Sequence, residues 1–270
     1  MACCINTNPS AATLDLFRSL RGKGGHFERG LFIAEAPKVV RKFLESSYEI
    51  PYAYLTESYF EHFRSLLEER EGNTEVIVAS KDEMEKVVGY ALHQGVMIAG
   101  KIPESPSLSS ILVPIKPQVI IALDSIADAE NMGGIIRSAA AFEAALVVDD
   151  QSCHPFLRRS IRVSMGTITD VPLVRAPRLE TSLLELKREG FRIVAAALSD
   201  KAHSIYTSDF TGKICLVFGA EGWGIRKEIL ACCDETVLVP MNEKIDSLNV
   251  GVAAGIFLYE CSRQNFCSTQ

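Results

Sequence analysis

The hydrophobic pattern changes character near the middle of the chain. Before residue 100, short apolar runs alternate with stretches whose apolar residues recur at helical spacing. "GLFIAEAPKVVRKFLES" reads as a strand at 31–34, then a helix with Pro37 in its first turn and an apolar face at Val40, Phe43 and Leu44. "PYAYLTES", "EHFRSLLEER", "TEVIVAS", "KDEMEKVVG" and "GVMIAGK" continue as strand, helix, strand, helix, strand. Over residues 101–118 the periodicity lapses into a stretch with four prolines and four serines, which predicts a linker. Beyond it lie continuous apolar runs at 119–125, the last two positions of which are polar, and at 145–148, 171–174, 193–197, 214–218 and 237–239, as expected of strands buried on both faces. Helical stretches fall at 134–142, 183–188, 225–231 and 248–261. The alternation predicts an α/β fold: a mostly parallel sheet flanked by helices over 119–270, a smaller α/β domain over 1–100, and the linker 101–118 between them.

Composition narrows the class. A chain of 270 residues that is 47% hydrophobic can build a core in each of two domains. The longest apolar runs fall well short of the roughly 18–20 residues a membrane span needs, so no membrane association is expected. The N-terminal segment has no basic region leading into an apolar stretch, so no signal peptide is read there and the expected compartment is the cytoplasm. The eight cysteines include two adjacent pairs, Cys3-Cys4 and Cys232-Cys233, but no C-x-x-C, so free thiols are expected rather than a metal site. A net charge of −6 argues against holding nucleic acid by bulk charge, and leaves local patches as the means of binding RNA.

Parallel sheets bind ligands at the carboxyl ends of their strands, which directs attention to the loops after Leu123, Leu198, Phe218 and Val239. The loop "GAEGWGIRKEIL" has glycines at 219, 222 and 224. That order, G-x-x-G-x-G after a late strand, is not the dinucleotide fingerprint, and no phosphate-binding G-K-[ST] occurs. In the last loop, Ser247 is placed as a helix N-cap, with Leu248 and Asn249 opening a helix that carries Gly251, Ala253, Ala254 and Gly255. Small residues at that density let another backbone approach closely. In "NMGGIIRSAAAF" a single arginine, Arg137, interrupts a small, apolar helix.

Three motifs, "AENMGGIIRSAAAF", "LVFGAEGWGI" and "VLVPMNEKIDSLNVGVAAGIFLYE", together resemble the SpoU/TrmH family of RNA ribose 2′-O-methyltransferases, within the SPOUT superfamily. The resemblance covers the second half of the chain. The first half is similar to the RNA-binding accessory domain of many members, mainly through "RGLFIAEAPKVVRKFLE". The resemblance implies a knotted (trefoil) C-terminal domain, S-adenosylmethionine as cofactor, a homodimer through that domain, and methyl transfer to a ribose 2′-OH. Arg137 matches the arginine that handles the hydroxyl proton or orients the target phosphate; a guanidinium stays protonated below about pH 12, so the general-base role is chemically demanding and orienting the phosphate is the conservative alternative. Asn131 matches the motif asparagine, to hold Arg137 or the ribose or to cap a helix. Glu221 matches the glutamate that fixes the arginine and its loop, and Ser247 and Asn249 match polar residues beside the reacting centre. Backbone groups of Leu198, Gly219, Val239, Met241 and Leu248 fall where relatives hold the adenosine. Ala220, Glu143 and Gly251 vary from commoner family residues, Glu143 standing where glycine is frequent.

The accessory domain favours rRNA over tRNA as substrate, and Arg18, Arg21, Lys23, Arg29, Lys38, Arg41 and Lys42 are candidates to contact phosphate or to form a merely solvated face. A tRNA methyltransferase and a catalytically idle, cofactor-binding RNA-binding protein are the alternatives.

Overall fold

The computed structural model describes residues 4–6, 9–18, 25–70, 73–112, 119–199, 201–242, 244–245 and 247–267. In chain order the strands are β1 (Cys4–Asn6), β2 (Leu31–Glu35), β3 (Tyr52–Leu55), β4 (Glu75–Val78), β5 (Val96–Lys101), β6 (Val119–Asp124), β7 (Ala145–Asp149), β8 (Leu173–Ala176), β9 (Arg192–Ala196), β10 (His203–Ser204), β11 (Ile214–Gly219) and β12 (Glu235–Leu238). The helices are α1 (Ala11–Asp15), α2 (Gly25–Glu28), α3 (Pro37–Glu45), α4 (Glu57–Glu69), α5 (Lys81–Val88), α6 (Leu108–Leu112), α7 (Ala129–Ala141), α8 (Arg158–Val163), α9 (Leu179–Arg188), α10 (Lys227–Leu230) and α11 (Val250–Cys267).

Two compact units form, one from residues 1–104 with 156–169 and the other from 105–155 with 170–270. The first holds a mixed sheet in the order β1-β4-β3-β5-β2, with β3 parallel to β4 and β5 antiparallel to both β3 and β2. Helix α3 buries Val39, Val40, Phe43 and Leu44, as its periodicity predicts. Helix α5 starts at a capping box, in which Ser80 Oγ accepts from the Glu83 N–H and Glu83 accepts from the Ser80 N–H. The segment 156–169 joins this unit although the linker lies far upstream of it. The Phe156 ring centroid is 5.4 Å from Phe32 and 5.8 Å from Tyr48, and Arg158 lies 3.3 Å from Glu35 and over the Tyr90 ring. Burial pushes the Tyr90 hydroxyl up to about 12, so it stays a neutral donor to Glu35 at 3.1 Å.

The second unit is a seven-stranded sheet in the order β10-β12-β9-β11-β6-β7-β8, with every described pairing parallel. Its central strands β6, β7 and β11 are buried almost throughout, which is why they read as continuous apolar runs. One layer of the core joins Ile120, Ala122, Val147, Ile193 and Val217 to Leu183 and Leu186 of α9. The direction of succession reverses between β6 and β11: the chain leaves β6 towards β7 and β8, then crosses to the other side to form β9, β11 and β12. Such a reversal opens a crevice at the carboxyl ends of the two central strands.

Several element boundaries differ from the sequence expectation. Helix α7 begins at Ala129, five positions before the expected start, because Asp128 caps it and the glycine pair lies inside it. Helix α11 begins at Val250 rather than at Leu248, and α9 begins at Leu179. Strand β10 and helix α8 carry too few apolar positions to show periodicity.

Candidate active site

Two loops face each other at the crevice. The first leaves β6 at the fully buried Asp124, turns through Ser125 in the left-handed region (φ 62°), and reaches Asp128. The Asp128 carboxylate accepts from the N–H groups of Glu130 at 2.5 Å and Asn131 at 3.2 Å, satisfying two orphan donors of α7. The second loop leaves β11 at Gly219 and doubles back, the Gly224 N–H donating to the Ala220 carbonyl at 2.9 Å. A Cβ at position 219 would stand 2.3 Å from the Gly224 carbonyl, so no other residue permits this fold-back.

At the mouth of the crevice three side chains, drawn from distant parts of the sequence, close a ring. Asn131 Nδ2 donates to Glu221 Oε1 at 2.8 Å, and Asn249 Nδ2 donates to both Asn131 Oδ1 at 2.8 Å and Glu221 Oε1 at 2.9 Å. Asn249 Oδ1 in turn accepts from the N–H groups of Gly251 at 2.9 Å and Val252 at 3.2 Å. Asn249, not Ser247, therefore caps α11. Both carboxylate bonds fall on Oε1, and among the described residues Glu221 Oε2 accepts none. Close packing of α11 on α7 brings the ring together. A Cβ on Gly251 would lie 3.9 Å from the Asn131 carbonyl, and one on Gly255 the same distance from Ser138 Oγ.

A second polar cluster braces the loops from beneath. Arg226 donates through its backbone N–H to Asp124 Oδ2 at 2.7 Å, through Nε to Asp124 Oδ1 at 2.6 Å, and through a terminal nitrogen to Asp149 Oδ2 at 3.1 Å. Asp149 Oδ1 accepts from the Ser125 N–H, the Ser152 N–H and the Ser152 hydroxyl, while Ser152 Oγ accepts from the Ile126 N–H at 2.8 Å. Burial alone would lower the Arg226 pKa, but its bond to Asp124 and the charges of Asp124 and Asp149 raise it above the usual value.

The crevice encloses a cavity of about 220 Å³, lined by Ile126, Asp128, Asn131, Glu221, Trp223 and Val250 among others. Of the residues singled out by sequence, Asn131, Glu221 and Asn249 are brought together. Ser247 is exposed at the approach to α11. Arg137 is exposed, lies about 120° around α7 from Asn131, is absent from the cavity lining, and has no hydrogen bond or ion pair among the described residues. Leu198, Gly219 and Val239 lie at or just beyond the carboxyl ends of β9, β11 and β12, which are adjacent and parallel, so their backbone groups share one edge. Met241 and Leu248 follow in the segment between β12 and α11. Sequence reasoning missed Asp124, Asp149, Ser152, Arg226 and Trp223; its one legible signal was a carboxylate ending each of two continuous apolar strands. Among the basic candidates of the first unit, Arg18 pairs with Asp15 and Arg41 with Glu45, Arg29 and Lys38 are exposed, and Arg21 and Lys23 lie outside the described residues.

The family model described as SpoU rRNA Methylase family matches residues 118–259. The 23S rRNA (guanosine-2′-O-)-methyltransferase RlmB of Acinetobacter baylyi is 36% identical over 191 residues, which is 69% of this chain and 77% of that protein. Two solved structures share the fold. An rRNA methyltransferase from Sinorhizobium meliloti with AdoMet bound superposes with a TM-score of 0.81 at 24% identity, covering 96% of this chain and 97% of its own. The SpoU methyltransferase AviRb from Streptomyces viridochromogenes gives 0.80 at 22% identity, covering 95% and 98%.

Proposed function

The chain belongs to the SpoU rRNA methylase family, and from that premise we propose that it transfers a methyl group from S-adenosylmethionine to a ribose 2′-OH of RNA, with rRNA the favoured substrate. The observation that carries this reading is the ring of Asn131, Glu221 and Asn249, because each of the three family motifs contributes one member to it at the mouth of a cavity. The curated relative acts on 23S rRNA, which favours rRNA over tRNA.

When bound, S-adenosylmethionine supplies an electrophilic methyl group on a sulfonium. Backbone groups of Leu198, Gly219, Val239, Met241 and Leu248 would hold it. The fit is chemical: they lie along one sheet edge or just beyond it and carry no ionisable side chain. A ribose 2′-OH that takes up this methyl group would have to give up its proton, which is the part of the reaction left to the side chains of the site. Glu221, with Oε1 fixed by two amides and Oε2 free, is poised to accept a hydrogen bond from a ribose hydroxyl. Asn131 and Asn249 hold that carboxylate in place. Arg137 sits apart from the ring within one copy, so we assign it to the site of a second copy in a homodimer, where it would orient the phosphate or receive the proton. The C-terminal segment returns from β12, beyond β9, to lay α11 on α7 and β11; the trefoil threading and a cytoplasmic location belong to the same proposal. Among the described residues no helix is long and apolar enough to cross a membrane.

The test combines mapping of 2′-O-methyl sites in total RNA, from cells with and without the gene, with single-turnover transfer to the mapped RNA. Arg137→Ala should slow transfer by roughly two to four powers of ten with cofactor affinity nearly unchanged, and Arg137→Lys should not restore it, because lysine lacks the planar fork. An Arg137→Ala protein that methylates at the wild-type rate removes Arg137 from the mechanism, and an rRNA methylation map that does not change removes the substrate.

A further inference from the structure

Trp223 is the sole tryptophan of the chain and is 93% exposed, the most exposed large hydrophobic side chain among the described residues. An indole normally serves a core, where it contributes a large apolar area and finds a partner for its N–H. Here it serves none. The loop that carries it is nonetheless tightly braced. Gly219 packs directly against Gly224 and Ile225, the Gly224 N–H donates to Ala220, and Arg226 two positions later is anchored on Asp124 and Asp149. A stiff loop thus presents an unburied aromatic face on the lining of the cavity that also holds Asn131 and Glu221.

The chemistry of the lining selects what meets that face. Its charged side chains, Asp128 and Glu221, are both carboxylates, and Asp128 is already engaged in capping α7. Carboxylates repel phosphate and accept from hydroxyl groups, so the sugar of a nucleotide is the part drawn inward. At about 220 Å³ the cavity is smaller than the roughly 300–1,000 Å³ of an ordinary ligand pocket, a size that suits the sugar of a nucleotide better than the whole. A base attached to a sugar seated there is left at the lip, against the indole.

We infer that Trp223 is the stacking platform for the base of the RNA nucleotide whose ribose occupies the cavity. This rests on the reading of the chain as an RNA ribose methyltransferase and adds to it a residue that grips the substrate base. Stacking tolerates any base, so Trp223 contributes affinity and placement, while base identity is read elsewhere.

The single tryptophan makes the test direct. Full-length protein is titrated with an unmethylated transcript of the rRNA segment containing the mapped site, in the presence of S-adenosylhomocysteine, while indole fluorescence and its quenching by acrylamide are followed. The indole should be open to acrylamide in the free protein, and the transcript should alter its emission and shield it. Trp223→Ala should weaken apparent RNA affinity about 5- to 150-fold, the equivalent of the roughly 1–3 kcal/mol that a stacked base supplies, and Trp223→Phe should restore most of the loss. Melting temperatures should stay at the wild-type value in both variants, because the side chain contributes almost no buried surface among the described residues. Four results overturn the inference: an indole already shielded in the free protein, which would place it in a contact between copies; shielding by S-adenosylhomocysteine alone, which would assign the ring to adenine; no change on adding RNA that the protein does methylate; or a Trp223→Ala protein with wild-type RNA affinity. If instead no site maps, a full-length rRNA transcript is the probe, and shielding of the indole by it would overturn the assigned activity and leave the platform standing.

Discussion

Glu143 follows the last turn of α7 with φ at 54°, a left-handed conformation that crowds Cβ against the carbonyl oxygen and that glycine adopts without that crowding. Glu143→Gly should relieve that crowding and lose part of the gain to the greater freedom of the unfolded chain, leaving a net stabilisation of about 0.5–1 kcal/mol. Urea denaturation should show it as a higher midpoint at an unchanged slope; a lower midpoint would mean that the carboxylate makes a contact worth more than the strain. His154 shapes the response to acid. Burial, followed by the nearby Arg175 guanidinium and opposed by Asp150, pushes the imidazole down to about 4, against 6.5 for the unfolded chain. Above pH 6.5 the group is neutral in both states and has no effect. Below it the unfolded state takes up a proton that the folded state refuses until about pH 4, so stability falls across that window. His154→Gln should flatten the decline between pH 6.5 and 4, and equal slopes in the two proteins would show that His154 protonates freely in the folded state.

Among elements, the arrangement with the largest expected energetic weight is the clasp that Arg226 makes on the ends of β6 and β7. Two carboxylates, Asp124 and Asp149, are buried there and share one guanidinium. Arg226→Ala would leave both without their cation, a loss of about 3 kcal/mol, at the low end for a buried pair because the Arg226 side chain is 39% exposed. Arg226→Lys should recover only part, since one ammonium cannot reproduce the Nε and terminal contacts together. Both variants should also slow methyl transfer more than Trp223→Phe does, because the clasp fixes both cavity loops; unchanged stability in Arg226→Ala would show that solvent already compensates the acids. Nothing in the sequence announces this clasp. Arg226 stands 102 and 77 positions from its partners, and only the parallel pairing of β11, β6 and β7 brings them together. The strands themselves were legible because burial on both faces leaves an unbroken apolar run, as at Ile120 to Leu123. The start of α7 was not, since the glycine pair resembles a loop and the capping Asp128 lies five residues ahead of it. Within the site, Asn131, Glu221 and Asn249 were recognisable as motif residues, but their closed ring was not, because its geometry depends on α11 lying against α7. The cap of α11 was misplaced by two residues: Ser247 and Asn249 are both good capping types, and local sequence does not rank them.

For the whole molecule, the question is whether one copy of the chain is enough. Helix α11 buries Ala254, Phe257, Leu258 and Cys261 on the side facing its own unit. Its other side exposes Val252 and Tyr259, 53% and 59% accessible and seven residues apart, with the partly buried Ile256 between them. A helix apolar on both faces calls for cover on both. A second copy related by a two-fold axis would supply it with the same surface, the usual arrangement for a homodimer. The chemistry makes the same demand, because the Asn131–Glu221–Asn249 ring lacks the arginine its motif contains, while Arg137 stands exposed and unpaired among the described residues of the same unit. The full-length protein should therefore run as a dimer in light scattering at micromolar concentration. Val252→Glu with Tyr259→Glu should shift it to monomer while far-ultraviolet circular dichroism stays at the wild-type level, since neither side chain belongs to the core. Dissociation should abolish methyl transfer. Mixing Arg137→Ala protein with a separate Glu221→Gln variant should then restore part of the activity, because a mixed dimer pairs one intact Arg137 with the partner's intact ring. A monomer that methylates at the full rate, or mixtures that show no rescue, would place Arg137 and the ring at the same site within one chain.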